Sequence, residues 1–226
     1  ATGTASQGAA RGAGSAPAAR SDLLATAVAA AKVPPQAAML AVARSPKGLM
    51  DLVGYAQARA AVGAPWIELA GEAVREVGFD LTDPLAVAKT FGVDADHPVG
   101  LAVLSLSELR VGFFARVADP KAFEAGLKVL FDHGPRPLPK ATQGDANTWV
   151  DPRGELAFML RGDRLWLIVQ DRRRAYGLHA AIRDLLAVEG AGLAEQDDFK
   201  QAAADLVLGR DLAGYLNVNA VVGAIV

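Results

Sequence analysis

A short apolar strand that runs straight into a capped helix start recurs four times along this chain, and no other feature constrains its fold as much. The unit reads AMLAVARSPKGLMDLV, VGFFARVADPKAFEAGLKVL, LWLIVQDRRRAYGLHAAI and AGYLNVNAVVGAIV. In each copy a Ser, Asp or Asn follows the strand, and such side chains accept the free N–H groups of a helix's first turn. Two copies place proline directly after the cap, at Pro46 and Pro120, where its missing N–H costs nothing and its fixed φ suits a helix. The unit speaks to architecture and not to chemistry.

Hydrophobic spacing fills in the rest. Residues 22–32 read as an alanine-rich helix with Ser21 as its cap, 37–43 as a strand, and Leu49, Val53, Ala56 and Ala60 as the inner face of one helix. A second helix over 65–77 carries Trp66, and Asp83 with Pro84 starts a third. Residues 100–106 and 110–117 form a hairpin, and the helix after Asp119 buries Phe123, Leu127, Leu130 and Phe131. A proline-rich loop over 134–140 precedes a weak strand at 147–150. A second hairpin follows, 155–160 with 164–169 around Gly162 and Asp163, and then a helix with Ala175, Leu178, Ile182 and Leu185 inside. Residues 198–206 form a helix, 212–217 a strand, and Asn217 or Asn219 caps a last helix. The expected fold is α+β: a largely antiparallel sheet from repeated ββα units, with helices packed mainly on one face.

Residues 1–20 are almost all Ala, Gly, Ser, Thr and Arg, too poor in apolar surface to offset their ordering entropy. They are expected to be a flexible tether ahead of a single domain over 21–226, with a sub-boundary near 98. The last helix has under two turns and no closing signal before Val226, so truncation at the C-terminus is expected.

A net charge of -2 and a pI near 5.9 give no basic field for a polyanion, which sets nucleic acid aside as a partner. Hydrophobic residues reach 52%, but much of this is alanine, and no apolar run has the ~20 residues of a membrane span. No cysteine is present, which removes disulfides, thiolate catalysis and cysteine metal sites.

Motifs that carry chemistry are scarce. His97, His133 and His179 lack the spacing of a zinc helix. Gly92, Asp94 and Asp96 imitate the start of a calcium loop but lack its glycine and closing glutamate at the required offsets, so neither a metal nor a cofactor is expected. Arg161, Gly162 and Asp163 spell an adhesion tripeptide, but Gly and Asp between two strands are what a tight turn requires, and the turn is a sufficient explanation. No nucleophile elbow, P-loop or dinucleotide fingerprint occurs, and no catalytic residue is assigned. The candidate binding residues are Trp66, Trp166 and the run Arg172, Arg173 and Arg174. Trp166 falls on the strand face opposite Leu165 and Leu167, so it is either a contact surface or the mark of a covered second face. The arginines follow Asp171 at a helix start, where the helix dipole disfavours positive charge.

The segments GFDLTDPLAVAKTFGVDADHPVGLAVL, ADPKAFEAGL, LRGDRLWLIVQD and DLAGYLNVNAV resemble the uncharacterised bacterial extracytoplasmic proteins, many of them predicted lipoproteins, that carry a domain of unknown function. The resemblance spans most of residues 34–226 through short structural motifs. It implies a periplasmic or envelope location, with a lipid anchor upstream of Ala1, and brings no catalytic residues. The leading expectation is a non-enzymatic binding module for another envelope protein, acting through its open sheet face or the helices of residues 49–78. The alternatives are a hydrolase built on His97, His133 or Asp94, and a subunit of a larger surface assembly.

Overall fold

Side-chain caps close four of the expected helix starts. Ser45 Oγ accepts from Gly48 N at 3.0 Å, and Asp83 Oδ1 from Leu85 N and Ala86 N at 2.8 and 3.3 Å. Asp119 Oδ1 accepts from Lys121 N and Ala122 N at 2.9 and 3.1 Å, and Asn217 Oδ1 from Ala220 N at 3.0 Å. The computed structural model describes residues 18–52, 55–80, 82–132, 138–171, 177–205 and 212–223; the side chains of some helical positions, Trp66 among them, also lie outside the description.

The elements run α1 (Ala18–Ala31), β1 (Met39–Ala43), α2 (Pro46–Leu52), α3 (Tyr55–Val62), α4 (Ala64–Val77), α5 (Pro84–Thr90), β2 (Val99–Ser105) and β3 (Arg110–Arg116). They continue with α6 (Pro120–Asp132), β4 (Lys140–Gln143), β5 (Ala146–Val150), β6 (Leu156–Arg161), β7 (Arg164–Val169), α7 (Gly177–Leu186), a 3-10 turn (Gly192–Glu195), α8 (Asp197–Asp205), β8 (Leu212–Leu216) and α9 (Val218–Gly223). The strands form one eight-stranded sheet in the order β4-β5-β6-β7-β3-β2-β1-β8. Every pairing is antiparallel. The α+β class is therefore established.

Helices cover both faces, where packing mainly on one was expected. On the first face Val28 and Leu24 of α1, Ile182 and Leu178 of α7 and Phe199 of α8 meet Val42, Phe114, Met159, Trp166, Ile168 and Tyr215. On the second, Phe123 and Leu127 of α6 meet Trp149, Phe158, Leu160 and Leu165. The reason is that β6 and β7 point bulky apolar side chains both ways, and a strand apolar on both sides needs cover on both. The two hairpin-plus-helix segments consequently send α6 and α7 to opposite faces.

The tether expected over 1–20 lies outside the described residues as far as 17, and residues 18–20 belong to α1. Because β1 pairs with both β2 and β8, the sheet runs across the sub-boundary expected near 98. The single helix expected after Ser45 is two helices, α2 and α3.

Candidate functional site

The second face is apolar from β5 to β8, yet α6 covers only its β5-β6-β7 half. Pairing aligns Leu216, Met39, Val103, Val111 and Val169 in one row across five strands. Ala41, Leu101, Phe113 and Leu167 form the next row, which continues into Phe158 and Trp149. Over Phe158 and Trp149 sits the Phe123 ring of α6, at centroid distances of 6.1 and 5.5 Å. Beyond Leu167 the same row has no such cover among the described residues. Leu216 is 50%, Met39 44%, Phe113 43% and Val169 39% exposed, and no residue of either row is ionisable. A contiguous apolar surface of this kind marks an interaction site more often than chance exposure.

A polar cluster sits at the far end of the first face. Register places Arg116, Arg164 and Arg161 side by side on β3, β7 and β6, and like charges opposite one another on a sheet repel. Arg116 Nε donates to Asp163 Oδ2 at 2.9 Å, and Arg161 Nε to Asp145 Oδ2 at 2.8 Å. Both charged ends of the Arg161-Gly162-Asp163 tripeptide are thus engaged within the fold, and Gly162 at φ 63° makes the turn. Arg116 Nη1 also donates to Nε2 of His97 at 2.6 Å. That leaves the ring proton on Nδ1, 2.8 Å from Oδ2 of Asp94 but off the bond axis.

This arrangement weighs against the hydrolase reading. The lone pair that a general base would use on His97 is held by a guanidinium, and His133 lies outside the described residues. Burial pushes the Asp94 carboxyl up, but the Asp96 N–H bond, His97 and Arg116 outweigh it and hold the group below its ordinary value. The Arg161 hydrogen bond likewise lowers Asp145. Arg164, between the two paired arginines, makes no hydrogen bond or ion pair among the described residues; its Nε is buried without a partner, and burial lowers its pKa.

Trp166 requires a correction. It is 1% exposed, packed 5.2 Å from the Phe114 ring, with Nε1 donating to Ala31 O at 3.0 Å. It belongs to the covered face beneath α1 and offers no contact surface. Arg172, Arg173 and Arg174 lie outside the described residues, as does the side chain of Trp66 on α4. On that helix Ile67 and Val74 are 65% and 45% exposed. The sequence reading missed Met39, Phe113, Val169 and Leu216 as candidate binding residues, because a strand pattern cannot show which half of a face a helix will cover.

Among the described residues no group of three or more His, Asp or Glu side chains is placed to hold a metal ion, and no helix is long and apolar enough to cross a membrane. A scan against protein-family models finds no match, and searches of curated proteins and of solved structures find none either.

Proposed function

We propose that the protein is a non-enzymatic binding module whose open sheet half, β3-β2-β1-β8, receives one amphipathic helix of a partner protein. The carrying observation is that rows covered by α6 at one end continue exposed and uncharged at the other. Size supports a single helix as the partner. Four strands about 4.8 Å apart and five residues long offer a flat area of roughly 15 by 16 Å. That is the footprint of one helix of three or four turns, and α6, with 13 residues, fills the other half in this way.

The resemblance to extracytoplasmic proteins, together with the Ala/Gly/Ser-rich residues 1–17, supports an envelope location for this encounter. A photo-crosslinking residue at position 113, with a control at the exposed Val129 of α6, tests the reading in native envelopes. The expected product joins position 113, and not 129, to an amphipathic helical segment of another protein, and Met39→Glu abolishes it. Equal labelling at both positions, or labelling only of a second copy or of lipid, overturns the proposal.

A further inference from the structure

On the opposite face of the sheet, between α1 and the ends of β3 and β7, lies a cavity of about 300 Å³. It is at the small end of the range for ligand sites. Ala27, Ala30 and Ala31 of α1, with Phe114 of β3, give it apolar walls, and Arg116 and Arg164 stand at its polar side. We propose that this cavity binds a small amphipathic monoanion, a carboxylate on a compact apolar body, through the guanidinium of Arg164.

The charge arrangement leads to that ligand class. In the row Arg116, Arg164, Arg161 the outer two are neutralised by Asp163 and Asp145. The middle one is flanked by like charges and, among the described residues, has no carboxylate in ion-pair contact, Asp163 and Asp145 acting on it only through space. A half-buried guanidinium with an unpaired, fully buried Nε carries a desolvation cost that the attraction of Asp163 and Asp145 offsets only in part, and an acceptor entering the cavity that Arg164 lines adds the pairing that is missing. A carboxylate matches the guanidinium fork. One guanidinium without a hydrogen-bonded carboxylate has room for one, and Asp163, also lining the cavity, disfavours a dianion such as phosphate. The alanines of α1 leave room for a body, which Phe114 faces from the sheet. This inference is independent of the open sheet half, since the two sites lie on opposite faces.

Octanoate and 1-octanol are the matched probes, titrated into the full chain by calorimetry and by amide chemical-shift mapping. Octanoate is expected to bind with a Kd between about 0.01 and 1 mM, shifting α1 and β7 signals, with octanol at least about tenfold weaker. Arg164→Gln is expected to lose at least about tenfold in octanoate affinity while raising the Tm of the free protein, because it removes an unpaired half-buried cation. Should Arg164→Gln fail to fold, Ala30→Phe, at an exposed position at the cavity's edge, is expected to block octanoate by filling its space. Equal affinity for octanol and octanoate, unchanged binding in these variants, shifts mapping elsewhere, or no octanoate binding at millimolar concentration overturns the inference.

Discussion

Nε1 of Trp166 donates a 3.0 Å hydrogen bond to the carbonyl oxygen of Ala31, 135 residues earlier in the chain, and so fastens the C-terminal end of α1 to β7. Both partners are buried, at 1% and 4% exposure. Trp166→Phe keeps an aromatic ring but leaves that carbonyl without its donor, which costs about 1–3 kcal/mol. Urea denaturation measures the loss, and a change below about 0.5 kcal/mol would show that the tie does not stabilise the fold.

The same helix ends on a residue poorly suited to its backbone. Lys32 has φ 49°, with Lys32 N donating to Ala29 O and Val33 N to Val28 O, both at 3.2 Å. This is a Schellman closure, in which the left-handed position favours glycine. Lys32→Gly is expected to raise stability by about 0.5–1 kcal/mol by relieving the Cβ strain. An unchanged or lowered denaturation midpoint would contradict this.

Gly100 lies directly across the β2-β3 pair from Phe114, and a Cβ built on it would stand 2.2 Å from the tip of that ring. The glycine makes the space in which Phe114 reaches Trp166. Gly100→Ala should overpack this site and destabilise the protein by about 1–3 kcal/mol. Gly71, whose added Cβ would meet nothing within 4 Å, is the control: on a helix its change to Ala should stabilise by up to about 1 kcal/mol.

These cases show what the chain discloses before it folds. The caps at Ser45, Asp83, Asp119 and Asn217 are local, one side chain and the N–H groups two or three residues on, and sequence alone finds the first three and narrows the fourth to Asn217 or Asn219. Cover on both faces also left a trace: LAFMLR and RLWLIV are nearly continuous apolar runs, which mark a strand buried twice over. β4 left none, since its Lys140, Ala141, Thr142 and Gln143 have no alternation to read. The open half and the arginine row stayed hidden for a different reason. Both depend on strand order: Arg116 and Arg164 are 48 positions apart and become neighbours only because β7 inserts beside β3.

Acid should weaken the tie between the loop before β2 and β3. The Asp94 carboxyl is held below its ordinary value by the Asp96 N–H, His97 and Arg116 against the opposing effect of burial. Its contribution is therefore fully present above the unfolded value near 3.9 and lost as pH falls through the lower folded one. Denaturation midpoints followed below about pH 4 should fall less steeply in Asp94→Asn than in the wild type. Parallel curves would show that Asp94 ionisation is not linked to folding.

Phe113 and Phe114 are successive residues of β3 and serve opposite faces, at 43% and 4% exposure. Phe114 packs against Trp166, so Phe114→Ala removes buried surface and opens a cavity, at about 3–5 kcal/mol. Phe113 has Leu101 and Leu167 beside it in register but, among the described residues, no helix ring packed above it. Phe113→Ser should therefore stay within about 1 kcal/mol of the wild type, losing mainly cross-strand contact. If the open half receives a partner helix, that same change removes the centre of the contact and abolishes the crosslink formed from a photo-crosslinking residue at position 216, exposed on the same face, while the denaturation curve barely moves. A stability loss at Phe113 as large as that at Phe114 would mean the face is closed in solution by some part of this chain, and the binding proposal would fall with it.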